Sequence, residues 1–194
     1  MNGTVTGPDG LARCPWGLSA PDYVSYHDEE WGRPVGGDTA LFERLSLEAF
    51  QSGLSWITIL RKRPAFRAAF AGFEPAKVAG FGDDDVARLL ADVGIVRNRA
   101  KVAATIANAQ AVLALDEPLD GLLWSFAPKI RTAPRTPDDV PAVTPASTAM
   151  AKELKRRGFR FVGPTTAYAL MQATGMVDDH LAGCAFRGPD EAAR

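Results

Sequence analysis

The chain has only two cysteines and two histidines, and they fall as one pair near each end: Cys14 with His27, and His180 with Cys184. Thiolate and imidazole in a set of four are what a tetrahedral structural zinc takes. A single Zn2+ shared by all four would staple the N-terminal segment to the C-terminal one, and a cross-link between distant segments restricts the available folds severely. The His180-x3-Cys184 spacing places both side chains on one face of a helix, where residues four apart are neighbours. Cys14 and His27 need a turn between them. The competing reading is a pair of buried free thiols and two unrelated histidines.

At 194 residues the chain suits one sizeable domain, or two small ones tightly joined, with enough apolar content for a real core. No apolar run approaches the length of a membrane helix. The segment from Met1 to Ala12 is polar and rich in Gly and Thr, unlike a secretory signal. These features predict a cytoplasmic protein, where paired cysteines favour metal over disulfide. Residues 1–12 and 187–194 are expected to be disordered tails flanking a single unit of two helical lobes over 13–186.

Apolar periodicity predicts a mainly α fold. Pro21 suits the first turn of a helix on which Tyr23, Tyr26 and His27 share a face. Leu41, Leu45 and Glu48 share another face, and further stripes are Val86, Leu89, Leu90, Val93 and Val102, Ile106, Ala109, Leu113. Met150 and Leu154 mark a helix stopped by Gly158, and Pro164 opens one that ends near Gly175. Alternating strands are absent. The stretch from Arg131 to Ser147, with Pro134, Pro137, Pro141 and Pro145, predicts a long connection.

The net charge of -1 favours no partner, but basic residues cluster at Arg61–Arg67, at Arg97, Arg99 and Lys101, and between Lys152 and Arg160. Each cluster is either a solvated face or part of one phosphate-facing surface. The second follows a short turn containing Gly94, giving helix, glycine hairpin and helix over about 84–115. Hairpin amides and the positive end of the second helix can hold a phosphate, with Arg97, Arg99 and Lys101 adding charge.

Glu48 is the odd residue. An apolar stripe that should enter the core carries a carboxylate, which must then be paired, hydrogen-bonded or raised in pKa. Trp16, Tyr23, Tyr26, Trp31 and Trp56 crowd the same part of the chain. Singly, each aromatic reads as core packing and Glu48 as a salt-bridge partner. Together, beside half of the metal set, they predict a functional pocket.

Arg13-Cys14-Pro15-Trp16, Tyr26 to Gly32 (YHDEEWG), Leu47-Glu48, Gly53 to Ile57 (GLSWI), Lys155 to Phe159 (KRRGF), Phe161-Val162-Gly163, Met171-Gln172-Ala173 and Asp179-His180 with Cys184 resemble the bacterial 3-methyladenine DNA glycosylase I family, in order over nearly the whole chain. The resemblance implies a helix-hairpin-helix DNA glycosylase fold whose termini are joined by one structural zinc on Cys14, His27, His180 and Cys184. It implies a lesion pocket in which Glu48 bonds the extruded base between Trp16, Tyr23, Tyr26, Trp31 and Trp56. The expected activity is monofunctional hydrolysis of the N-glycosidic bond of 3-methyladenine, by a monomer acting on double-stranded DNA that contains alkylated purines. The loop at Gln51, Gly53 and Leu54 is the expected wedge in the duplex. Where the family commonly reads Gly-Gln-Gln after the glutamate, this chain has Ala49-Phe50-Gln51, so a polar contact near the base is missing or supplied otherwise. The alternatives are a non-catalytic, zinc-stapled DNA-damage-binding module of the same fold, and a zinc deaminase. His27-x-Glu29 without a following P-C-x-x-C speaks against the deaminase.

Overall fold

The computed structural model describes residues 3–129 and 132–188. A two-residue β pair, β1 (Val5–Thr6) against β2 (Ala12–Arg13), precedes nine α-helices among the described residues. These are α1 (Pro21–Ser25), α2 (Asp38–Gln51), α3 (Trp56–Ala69), α4 (Pro75–Ala79), α5 (Asp83–Ala91), α6 (Arg99–Leu113), α7 (Leu119–Trp124), α8 (Pro145–Arg156) and α9 (Pro164–Ala173).

The centre is α2. It packs against α3, α6, α7 and α9, and residues 45–50 are buried without a break. A helix enclosed on all sides loses the one-sided stripe that marks a surface helix. Phe50, Phe66, Phe70 and Phe73 are fully buried beside it, and the Phe70 and Phe73 rings stack 5.4 Å apart at 11°. Each such side chain contributes roughly 1.5–3 kcal/mol of burial.

Two helix pairs with short connections lean on this core. One is α5–α6, at the position expected for the hairpin; Val93 and Leu113, placed in its apolar stripes by periodicity, are instead exposed, since α5 ends at Ala91 and Leu113 is the last residue of α6. The other is α8–α9, a closely packed pair whose connection holds Phe161 at φ +57°. Asn108 of α6 clamps that connection, accepting from the Arg160 amide at 2.7 Å and donating to its carbonyl at 3.1 Å.

The N-terminal segment expected to be a tail forms the β hairpin. Gly10 turns it at φ +81°, and Arg13 ties it down through Asp9 and Asp28. The local salt bridge supplies what the polar composition does not. Arg187 and Gly188 donate to Asp178, whereas the rest of the expected C-terminal tail, 189–194, lies outside the described residues. So does Arg131; the rest of the proline-rich connection is interrupted by a 3-10 turn at Pro137–Asp139 and ends where α8 begins at Pro145.

Candidate active site

Between α1 and α2 the backbone changes from α to π winding over Tyr26–Glu30, closed by the bond from the Trp31 amide to the Tyr26 carbonyl at 2.9 Å. Adjacent residues on a helical winding point in directions about 100° apart. Tyr26 joins the wall of a cavity of about 290 Å³, while His27 is buried in a sulfur and nitrogen cluster behind it. Trp16, Tyr23, Tyr26, Trp31, Glu48, Gln51, Trp56 and Gln172 line the cavity. Trp16 meets Trp31 edge-on at 5.0 Å and Tyr23 at 5.6 Å, and Trp56 tilts over Tyr26 at 5.5 Å. All five aromatic positions expected from the sequence therefore converge. Tyr23 also receives the Ile57 amide on its hydroxyl at 2.8 Å, which fixes the start of α3 against α1.

Glu48 projects from the core helix into this cavity and is 5% exposed. Burial pushes its carboxyl up to about 8, and the nearby Arg44 only partly opposes that. Among the described residues, no hydrogen bond to the carboxylate contributes. One arm of Arg44 bonds Glu30, which also takes both arms of Arg63, while among the described residues the Arg44 Nη1 is buried without a hydrogen-bond partner. A buried acid without a partner beside aromatic faces is a receptor for a flat group that carries a donor and positive charge. Phe50 points away, against Phe66 at 4.6 Å, so the departure from the family pattern there is a core residue; Gln51 still lines the cavity.

Behind the wall, the ligand atoms of Cys14, His27 and Cys184 lie within 4.8 Å of one another. His180 stands beside this trio, its ring centroid 4.7 Å from that of His27 and its Nε2 3.2 Å from the His27 carbonyl. Each histidine points its Nδ1 at a carboxylate, His27 at Asp28 (2.7 Å) and His180 at Asp178 (2.8 Å). Contrary to the expected helix, residues 180–184 form a turn. Asp178 accepts the His180 amide at 3.1 Å and the Gly188 amide at 2.9 Å, a local arrangement that competes with helical bonding. Trp31 bridges the two regions: it stacks with His27 at 18° and meets His180 edge-on at 4.8 Å.

Of the residues expected to meet DNA, Gly53 (φ +81°) and Leu54 lie exposed at the tip of the α2–α3 loop, and Gln51 closes that loop by donating to the Leu54 carbonyl. Arg97 and Arg99 are exposed. The Gly94 amide is occupied by the Asp92 carboxylate at 2.7 Å, and Lys101 is turned inward and buried. The basic cluster of α3 is internally consumed: Arg61, Arg63 and Arg67 pair with Asp22, Glu30 and Glu43. The sequence reading names Gln172 in the Met171-Gln172-Ala173 motif but gives it no place in the pocket, although a polar residue in the apolar run of α9 is its signal. It also passed over Asp28 and Asp178, although an acid within two positions of each histidine marks them.

A helical protein closing an aromatic cavity on one buried acid defines a class of receptor for a flat, donor-bearing group. The chain belongs to the methyladenine glycosylase family, whose model matches residues 16–188. It is similar to DNA-3-methyladenine glycosylase 1 of Escherichia coli, 47% identical over 180 residues, covering 90% of this chain and 96% of the relative. The DNA-3-methyladenine glycosylase of Haemophilus influenzae is 44% identical, with 89% and 96% covered. The solved 3-methyladenine DNA glycosylase I of Staphylococcus aureus, described with the structural basis of its 3-methyladenine recognition, superposes with a TM-score of 0.88 at 35% identity, covering 92% of this chain and 98% of that one.

Proposed function

We propose that this chain excises 3-methyladenine from alkylated duplex DNA by hydrolysis, leaving an abasic site. The observation that carries the reading is the unpartnered, buried Glu48 carboxyl facing an aromatic cavity. Flipping the nucleotide costs about a few kcal/mol in stacking and pairing. Alkylation at N3 leaves adenine formally cationic and its glycosidic bond weak, so the base departs without strong acid catalysis. Tryptophan and tyrosine faces attract that cation, worth up to about 2 kcal/mol when desolvated. A cationic base beside Glu48 favours the ionised carboxylate that burial alone disfavours, so Glu48 then supplies the counter-charge and accepts a hydrogen bond from the base, favouring the alkylated form over neutral adenine. The bond breaks through an oxocarbenium-like state, and water captures the sugar.

On the duplex side, Leu54, Gln51 and Gly53 form the wedge. The phosphate-facing surface includes the turn at Gly94, with Arg97 and Arg99, and exposed Lys152, Lys155 and Arg160 at the α8–α9 connection. Cys14, His27, His180 and Cys184 would hold one structural Zn2+: the ligand atoms of Cys14, His27 and Cys184 lie together, the His180 ring stands beside that of His27, and both imidazoles have a carboxylate on Nδ1, the arrangement that orients zinc-binding histidines. Bound there, the metal contributes cross-linking alone. No helix among the described residues is long and apolar enough to cross a membrane, and a chain acting on genomic DNA as a monomer in the cytoplasm is consistent with that.

The test is base release from methylated duplex, resolved by chromatography, with Glu48→Gln in parallel. Selective 3-methyladenine release by the wild type, slowed at least about 100-fold in the folded variant, is expected. No release from folded wild type would overturn excision in favour of damage binding alone.

A further inference from the structure

Two lysines of the basic clusters are spent on carbonyl oxygens, and together they join two of the elements proposed to face the duplex. Lys101, in the first turn of α6, reaches across to the end of α2 and donates to the Phe50 carbonyl at 2.8 Å and the Ser52 carbonyl at 2.6 Å. Those oxygens sit at a helix C-terminus, where carbonyls lack intrahelical partners and the helix dipole favours a cation. In the opposite direction, Lys62 of α3 donates to the carbonyls of Val93 (3.0 Å) and Gly94 (3.1 Å) in the α5–α6 turn. The α2–α3 loop lies between the two helices that carry its side of these contacts, and the α5–α6 turn does the same on the other side. Each loop is thus held by a lysine from the other pair.

We propose that Lys101 and Lys62 are positioning residues, a reciprocal staple that sets the α2–α3 loop against the α5–α6 turn so that wedge and phosphate-facing turn meet the duplex as one rigid unit. Lys101 is 7% exposed and its ammonium already makes two carbonyl bonds, so it is not an available phosphate ligand. The wedge loop has few other restraints: the Leu54 amide bonds the Gln51 carbonyl at 2.7 Å and the Gln51 side chain returns to the Leu54 carbonyl at 3.0 Å, both within the loop itself. Among the described residues, the Lys101 bonds are the only hydrogen bonds that tie its base to α6. A loop free to swing would still carry Leu54, but would fill the gap left by an extruded base less often.

The functional half of this inference rests on the DNA-repair reading above; the mechanical half does not. Lys101→Met and Lys62→Met are compared with wild type by amide hydrogen exchange of the free protein and by binding to duplexes with and without an abasic site over a range of salt. Expected are faster exchange at residues 52–55 in Lys101→Met and at 93–96 in Lys62→Met. The preference for abasic over intact duplex should fall about 10-fold, while the slope of log affinity against log salt stays at the wild-type value. Direct phosphate contact predicts the opposite: unchanged exchange and a slope smaller by about 0.9 per lysine, with equal loss on both duplexes. That result overturns the proposal. Exchange raised throughout the protein in Lys101→Met would assign the lysine to general stability, and the more exposed Lys62→Met then decides between staple and contact. If wild-type protein shows no abasic preference, the repair reading fails, and unchanged local exchange alone would still refute the staple.

Discussion

At the scale of the residue, Glu48 sets the terms. Its carboxyl ordinarily titrates at 4.5 and is pushed up to about 8 by burial in the folded protein. A group whose folded value is raised contributes stability fully below its unfolded value and loses it as pH climbs through the folded one. Wild type should therefore weaken between pH 5 and 9 relative to Glu48→Gln, by on the order of 2–4 kcal/mol. Thermal unfolding of the two proteins at both pH values measures the difference; parallel curves would contradict a buried, unpartnered acid. Its burial was legible in advance from the stripe of Leu41 and Leu45, because a period of 3.6 leaves no other face for it. The inward turn of Lys101 was not legible: its partners are main-chain carbonyls 51 and 49 residues away in sequence, and a lysine in a basic run reads the same whether it meets a phosphate or a helix end.

At the scale of the element, the junction after Trp31 depends on close backbone approach. Gly32 and Val35 donate to the Gln172 and Thr174 carbonyls at 3.0 and 3.1 Å, satisfying the end of α9 and drawing Gln172 and Trp31 to the same cavity. Gly175 permits this contact: at φ +71°, an added Cβ would lie 2.5 Å from the Arg33 carbonyl carbon and 2.6 Å from the Pro34 nitrogen. Gly175→Ala should cost about 2–4 kcal/mol and blunt the tryptophan fluorescence response to free 3-methyladenine. A variant with wild-type melting temperature and response would show that the contact opens freely. From the sequence, Gly175 reads only as a helix stop. Helix positions were otherwise well marked by proline starts and glycine ends, whereas the β hairpin was missed because two-residue strands are too short to show alternation.

At the scale of the whole molecule, the C-terminal segment is tied to the N-terminal one and to the proline-rich connection by ordinary bonds as well as by the sulfur and nitrogen cluster. The Ala185 amide bonds the Ala12 carbonyl and the Ala182 amide the Pro134 carbonyl, each at 2.8 Å. Stripping a bound metal with a chelator should consequently leave a folded protein, with a melting temperature lower by about 5 °C or more. The same treatment should weaken base binding, since Trp16 and Trp31 rest directly on His27. Metal analysis before and after, with Cys184→Ser as control, tests both; full base affinity in metal-free protein would separate the cluster from the pocket. The pairing of cysteine and histidine at each end was visible in the sequence, but the turn that delivers His180 and Cys184 was not, since it is set by the Asp178 side chain.

The π turn at Tyr26–Glu30 makes spacing itself a functional property of the chain. Neighbouring residues there serve two sites, and the one extra position in the winding sets where Trp31 follows them. Deleting a single residue between His27 and Trp31 would bring Trp31 one position nearer along the winding and turn it relative to His27, parting it from the pocket or from the histidine. Drift in length should thus be forbidden across this stretch, while exposed connections elsewhere in the molecule remain free to grow or shrink.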